Sequence, residues 1–476
     1  MALAPAVTGG VVTSDKARSF GPLLSVLLVA ALCFSVAQTT VIAALPEITR
    51  SFGATAATAS WTVTAYLISA SVCTPLAGKL GDVLGKGRVL GWVMLIFSLG
   101  SVVCAVAPSV EVLIAGRVLQ GVAGGAFPLA FGIIHDEFPP ERRGFGVALV
   151  SGMFGGGAAA GLLLAGIIID NGDLSWIFWG LLLMALPGAL ASWAIVPPSP
   201  ARERKAIDWT GAALLSLGLA GVLLGFSKGN LWGWTSPATL VCLIGGAVVL
   251  VVFVAVQLRV TDALINMRIM RSRTVLATNL ASLVSGIAMF SAYVLVPRLA
   301  QTSTDTGYGL GLSLTDSCLV TLPMVGMIFV ATPVVGALGR RMGFRSVFLI
   351  GITTVLVAFV LLALDHGSAV QLLGGVTVLG IGIALSLAGM SMLVITAVPK
   401  EEVGIASGIN TVMRLVGAAF GTTVVTAVLD SDTLMSSSLP TEQAYVNAFF
   451  LSAAIAAVAV VIALCIPRDI PSQNAD

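Results

Sequence analysis

Long apolar runs, separated by short polar stretches, recur along the whole chain. Each is long enough to cross the roughly 30 Å of bilayer hydrocarbon as a helix. Backbone in lipid must satisfy its own hydrogen bonds, so the runs predict helices and leave no place for open strands. The pattern predicts fourteen spans, near residues 20–45, 57–78, 89–108, 110–134, 144–169, 175–196, 209–227, 238–258, 275–298, 315–338, 345–364, 370–396, 404–428 and 445–466. The polar segments PPSPARERKAID and RVTDALINMRIMRSRT bracket spans 7 and 8. The second alternates apolar and basic residues and is expected to lie along the membrane surface.

The pattern repeats. Thr74 to Val89 reads TPLAGKLGDVLGKGRV, and 258 positions later Thr332 to Val347 reads TPVVGALGRRMGFRSV. Gly144, Gly157 and Gly161 return at a shift of 260 as Gly404, Gly417 and Gly421, and Gly116 and Gly121 return at 259 as Gly375 and Gly380. Spans 1–6 therefore correspond to spans 9–14, with spans 7 and 8 inserted between. The expected organisation is a tail at 1–19, a six-helix bundle at 20–196, a linker with two extra spans at 197–274, a second bundle at 275–466 and a tail at 467–476. The run from Phe20 is too long for a cleavable leader. Two related halves in a membrane chain point to a secondary transporter with its substrate site between the repeats.

Composition agrees: 10% of residues are charged and 57% hydrophobic, too few charges to wet a soluble domain. The net charge of +2 comes with no basic patch suited to nucleic acid, so none is expected as a partner. The six cysteines (Cys33, Cys73, Cys104, Cys242, Cys318, Cys465) fall in apolar spans without ligand spacing, and no metal or cofactor is expected. No nucleophile elbow or phosphate loop appears either, so the reading is not an enzyme. Nineteen Lys and Arg fall in loops on one side and only Arg50, Lys228 and Arg298 on the other. That bias predicts cytoplasmic termini in a multi-pass protein of the plasma (inner) membrane. The expected partners are the lipid bilayer, a small-molecule substrate and protons, with the chain acting as a monomer.

Candidate chemistry is sparse. The loop between spans 2 and 3 holds Gly78, Asp82, Gly85, Lys86 and Arg88, and its second copy holds Gly336, Arg340 and Arg341. Glycines there allow tight turns and close approach, and Asp82 suits a cation or a helix start, so the loop is expected to act as a cytoplasmic latch. Arg117 and Arg414 are the charges set deep within spans, where insertion costs about 2.5–3.5 kcal/mol, so each is expected to face a cavity or a polar partner. Gln120 could join Arg117, and structural pinning competes with a transport role for both arginines. Gln38 and Thr39 are polar at mid-span and are expected to line the cavity, with Asp316 near an outer end. Gly152, Gly156, Gly157 and Gly161, with Gly417 and Gly421, predict close helix packing and a smooth face along which the halves slide.

These motifs resemble the major facilitator superfamily, in particular its fourteen-span drug:proton antiporter branch of EmrB/QacA type, over nearly the whole chain. Gly78 to Leu90 resembles the superfamily's loop 2–3 signature; Leu113-x-x-x-Arg117-x-x-Gln120-Gly121 resembles its span 4 motif; Trp61-x-x-Thr64-Ala65-Tyr66 resembles the branch's span 2 pattern. The resemblance implies an all-α fold of two pseudo-symmetric six-helix bundles plus two inserted helices, and proton-coupled export of amphipathic small molecules. Two positions depart. Gly157 stands at the proline place and Ala160 at a glycine place of the span 5 antiporter motif, and Gln38 stands where many relatives carry an aspartate. Coupling would then fall to Asp82, Asp136, Glu47 or Asp316, or the chain would be a facilitator. Few acids near the cavity favour neutral, anionic or weakly polar substrates over dications.

Overall fold

The structure, a computed structural model, describes residues 20–197, 208–260, 263–399, 402–433 and 439–467. The expected tail at 1–19, the linker stretch 198–207 and the chain after 467 lie outside the described residues.

The long helices are α1 (Phe20–Phe52), α2 (Trp61–Leu84), α3 (Lys86–Ala105), α4 (Val110–Glu137), α5 (Pro140–Asn171), α6 (Ser175–Ile195), α7 (Trp209–Trp232), α8 (Pro237–Gln257), α9 (Arg273–Gln301), α10 (Leu314–Leu319 with Leu322–Met342), α11 (Phe344–Leu364), α12 (Ala369–Thr396), α13 (Val403–Ser431) and α14 (Glu442–Leu464). Thirteen are long and apolar enough to cross a membrane singly. The fourteenth, α10, does so as two segments, Thr315–Ala331 and Val334–Met342, bent by 54°. The break falls at Pro333, which has no N–H to continue the ladder. Several helices outrun the hydrophobic pattern: α1 continues past residue 45 through Pro46 to Phe52, with Glu47 and Arg50 paired at 2.8 Å on its last turns.

Local chemistry explains the ends. Gly85 and Gly343 adopt φ of +99° and +80° at the two equivalent turns, a backbone region that side chains disfavour. Pro140 sits in the first turn of α5 with Glu141 beside it, both favourable where N–H groups lack partners. Asp208 caps α7 by accepting from Gly211 N at 2.8 Å.

Packing reproduces the sequence repeat. In the first half α1 packs on α5 and α6, α3 on α4 and α6, and α2 on α4. In the second, α9 packs on α13 and α14, α11 on α12 and α14, and α10 on α12. Each pairing is the other shifted by eight spans. The halves meet where α5 touches α10 and α12, and where α13 touches α2 and α4. The inserted α7 packs on α8, α2 and α13, wedged beside the second of these seams. The segment expected on the membrane surface instead turns its apolar residues inward: Leu264 and Ile265 are buried with Ala212, Phe253 and Ile405. Covering them against protein removes more apolar area from water than the lipid boundary would.

Candidate functional site at the centre of the bundle

Phe154 and Arg414 occupy equivalent positions in the two halves, 260 residues apart. In the structure they touch, with the guanidinium carbon of Arg414 4.2 Å from the Phe154 ring centroid. Symmetry-equivalent residues meet only on the axis that relates them, so this contact marks the pseudo-two-fold. Both lie near the middle of their helices, α5 and α13, which sets the contact at mid-depth. Arg414 is 1% exposed. Its Nη2 donates to Thr411 Oγ1 at a long 3.4 Å, while Nε and Nη1 have no partner among the described residues. Around Phe154 stand Phe127, Phe34 and Phe290, at ring separations of 5.3, 6.1 and 6.4 Å. Gln38, one turn along α1 from Phe34, is also buried, and neither atom of its amide is bonded among the described residues. Buried polar groups are paired in the great majority of cases, so two open ones at mid-depth call for a reason.

Arg117 differs. It donates to Thr62 O at 3.1 Å, Ala37 O at 3.0 Å and Gln120 Oε1 at 2.6 Å, and its guanidinium lies 4.1 Å from the Tyr66 ring centroid. Gln120 in turn donates to Ser101 Oγ at 2.8 Å. This cluster ties α4 to α1, α2 and α3, which is the pinning reading. Thr39 donates to Ala158 O at 2.5 Å and so belongs to the α1–α5 contact, not to an open cavity. Asp316 is exposed at the start of α10, in a capping exchange with Ser313, and the structure does not bring it to Gln38 or Arg414. It sits in the first turn of a helix because a carboxylate is favoured there.

The packing glycines are also relocated. A Cβ at Gly157 would press on Ser35, and one at Gly161 would strike Thr39 and the Val36 carbonyl, all on α1. Gly417 and Gly421 meet the Leu283 and Ile287 carbonyls of α9 in the same way. These four close helix pairs inside each half, so they are not a sliding face between halves. Contact across the halves uses Gly144, Gly155 and Gly156 of α5, which face α10 and α12, while Gly152 is buried beside them on α5.

At the face where α1 starts lie the residues of the expected latch. Gly78 of α2 abuts Gly404 in the first turn of α13, where an added Cβ would stand 3.0 Å from the carbonyl oxygen. The Asp82 carboxylate lies against the same turn, 3.5 Å from the Cβ position of Gly404. It thus faces the positive end of a helix belonging to the other half. Lys86, 2% exposed, lies between Asp82 at 3.6 Å and Asp136 at 2.6 Å. Gly132 leaves it room, since a Cβ there would come 2.7 Å from Lys86 Cε. Arg88 is exposed, and its carbonyl accepts from Trp193. The equivalent seam pairs Gly336 with Gly144 and Phe145 at the start of α5. There Arg340 replaces Asp82 and donates to Glu141 O at 3.4 Å, while Arg341 is exposed. The backbone approach is duplicated; the charge across it is not.

Two features escaped the sequence reading. Asp136 appeared there as one candidate for coupling, but its pairing with Lys86 needed the fold. Lys228, counted as an outer-loop cation, is buried: it donates to Ser60 Oγ at 2.7 Å and lies 4.4 Å from the Trp61 ring centroid, fastening α7 to the start of α2.

Comparison with known proteins agrees with this architecture. The family model for the Major Facilitator Superfamily matches residues 27–302 and 278–476. A Mycobacterium tuberculosis protein described as an uncharacterized MFS-type transporter is 33% identical over 85% of this chain and 60% of its own length. The chain thus spans well under two thirds of that relative. A multidrug resistance protein B homolog from the same species is 30% identical over 83% of this chain and 72% of its own. The Bacillus subtilis multidrug transporter protein MdtP is 26% identical, covering 88% and 77%. Among solved structures, that of the human organic anion transporter MFSD10 superposes with a TM-score of 0.64 at 20% identity, over 93% of this chain and 99% of that one, a likeness of fold. A duplicated bundle with α7 and α8 inserted and a family match over most of its length place this chain in the major facilitator superfamily.

Proposed function

We propose that the chain is a secondary efflux transporter that exports amphipathic small molecules by alternating access. The observation that carries this reading is Arg414, buried at mid-depth with two guanidinium nitrogens unpartnered among the described residues, set against the rings around Phe154 on the axis between two matching bundles. Transporters of this build hold substrate near the midplane and rock one bundle against the other around it. Support for export comes from relatives named for multidrug resistance, at 26–30% identity. The excess of Lys and Arg on one side supports a cytoplasmic placement of the face carrying Asp82 and both termini.

The latch then gates the cytoplasmic opening. Asp82 at the start of α13 and the close Gly78–Gly404 approach hold that face shut, and rocking must break both. Export by proton antiport is the finer form of the proposal, with Asp82 and Asp136, linked by Lys86, as the carboxylates nearest the moving seam. One observation favours a second form, an uncoupled facilitator or uptake carrier: Gln38 holds the mid-depth position without a titratable group. Expression in an efflux-deficient host, challenged with a compound panel with and without a protonophore, decides between them. Antiport predicts resistance that collapses with the protonophore. Resistance indifferent to it leaves the facilitator, and no resistance together with no vesicle flux rejects export.

A further inference from the structure

The proposed export reading says nothing of substrate charge, and Arg414 carries that further. A buried guanidinium keeps its charge, and a charge removed from water without a counterion is costly. Among the described residues Arg414 makes no ion pair, and its one hydrogen bond is long. Nor is a carboxylate stationed at its depth. The described acids occupy loops or the first or last turns of helices: Glu111 opening α4, Asp316 opening α10, Glu47 near the end of α1, Asp136 closing α4, Asp170 closing α5, Asp430 closing α13. Arg117, equally buried, shows what this fold does with a structural arginine, because each of its three nitrogens finds an acceptor. Arg414 has been given a ring face and open nitrogens instead.

Resting on the transport reading, we propose that Arg414 anchors a single anionic group, a carboxylate or sulfonate, on a substrate whose apolar or aromatic body packs against Phe34, Phe154 and Phe290. The chemistry is complementary at both ends. A charged acceptor forms the strongest bonds a guanidinium can make, and strengthens as water is excluded. The rings around Phe154 offer faces and edges for a flat apolar body. Gln38, buried one turn along α1 from Phe34, is neutral and so adds no negative charge at this depth. The anion's position on the axis lets both halves hold it as they rock.

The test uses the purified full chain in detergent at neutral pH and matched aromatic pairs, such as naphthalene-2-carboxylate and its carboxamide, with 2-naphthylmethylamine as the cationic member. Equilibrium binding is read by calorimetry. The expected result is that wild type prefers the acid over the amide by about tenfold or more, equivalent to about 1.4 kcal/mol. Arg414→Gln should erase that preference while leaving amide binding in place, and Arg414→Lys should restore part of it. Equal affinity for acid and amide, preference for the amine, or no binding of any acid in a panel of such pairs overturns the proposal in wild type alone, whatever the variants do. A chloride titration separates the other source of an anion: Arg414-dependent chloride binding that the acid cannot displace also overturns it. Flux of the amide or amine in proteoliposomes without charge preference would sink this assignment yet leave the export reading intact. Acid binding without flux of any compound would do the reverse.

Discussion

At the scale of single residues, the two deep arginines make opposite predictions. Arg117 closes three hydrogen bonds across α1, α2 and α4, and its loss leaves the buried Gln120 Oε1 without this donor. Bonds to a charged donor are worth about 1.5–3 kcal/mol each, and a buried acceptor left unsatisfied costs about 1–3. Arg117→Met should therefore destabilise the fold by on the order of 3 kcal/mol, visible as a clear drop in the unfolding temperature in detergent. Arg414→Gln should leave that temperature close to wild type, since it removes a charge that the fold does not pair. Equal losses for the two variants would contradict this division. Gln38 gives a second residue-scale test. Replacing its neutral amide by a carboxylate adds a titratable group at mid-depth beside a buried cation's compartment, so Gln38→Asp should steepen the pH dependence of transport in proteoliposomes and weaken any bound anion. An unchanged pH profile in a folded variant rejects position 38 as a coupling site. Sequence alone singled out both arginines, because charge inside an apolar run is conspicuous. It could not tell them apart, because acceptors such as Ala37 O and Thr62 O are backbone groups that no side-chain pattern marks.

At the scale of elements, helix number, order and duplication were legible because hydrophobic length and a 258–260 residue shift are linear properties of the chain. Which face of each helix points where was not. Gly157 and Gly161 signal close packing by their spacing, but a spacing names no partner, and the partner proved to be α1 within the same half. The amphipathic segment after α8 shows the same gap: its spacing did not say that Leu264 and Ile265 would pack on Ala212, Phe253 and Ile405. The inserted pair α7–α8 shows what holds such an element. Asp208 accepts from Gly211 N and from Gln257 Nε2 at 2.6 Å, and Gln257 Oε1 accepts from Ile265 N at 2.9 Å. Partial burial would raise the Asp208 carboxyl, but the bonds from Gly211 and Gln257 outweigh it and hold the group below its ordinary range. A depressed folded value means the contribution is complete above the unfolded pKa, about 3.9, and is lost as pH falls through the folded one. Asp208→Ala should thus lower stability by about 0.5–2 kcal/mol at neutral pH, as for other lost N-caps. The deficit relative to wild type should shrink below about pH 4. A deficit that persists unchanged at pH 3 would assign the loss to packing instead of charge.

At the scale of the whole molecule, the asymmetry of the two seams matters most. Both seams bring a glycine of one half against the first turn of a helix in the other, Gly78 on α13 and Gly336 on α5. Only the first adds a carboxylate to that helix's positive end; the second offers Arg340. A charge at a helix N-terminus is worth about 0.3–1 kcal/mol when exposed and up to ~2 when partly buried. Asp82 belongs to the partly buried kind, so removing its charge should shift the balance toward the open cytoplasmic face by roughly five- to tenfold. Ser407 is the natural reporter, since it is buried at 3% one turn inside Gly404 and its hydroxyl has no bonded partner. In a Cys465→Ser background, Ser407→Cys should react with a membrane-impermeant maleimide several-fold faster from the terminal face once Asp82→Asn is added. Lys86 remains paired with Asp136 in that variant, which keeps the first bundle intact and isolates the seam between halves. Gly404→Leu should act in the same direction and more completely, because its side chain fills the space that Gly78 and Asp82 need for closure; labelling should then be fast whatever residue stands at 82. If Asp82→Asn left the labelling rate unchanged while Gly404→Leu raised it, the glycine contact alone would close this face, and the carboxylate would serve Lys86 and its own bundle.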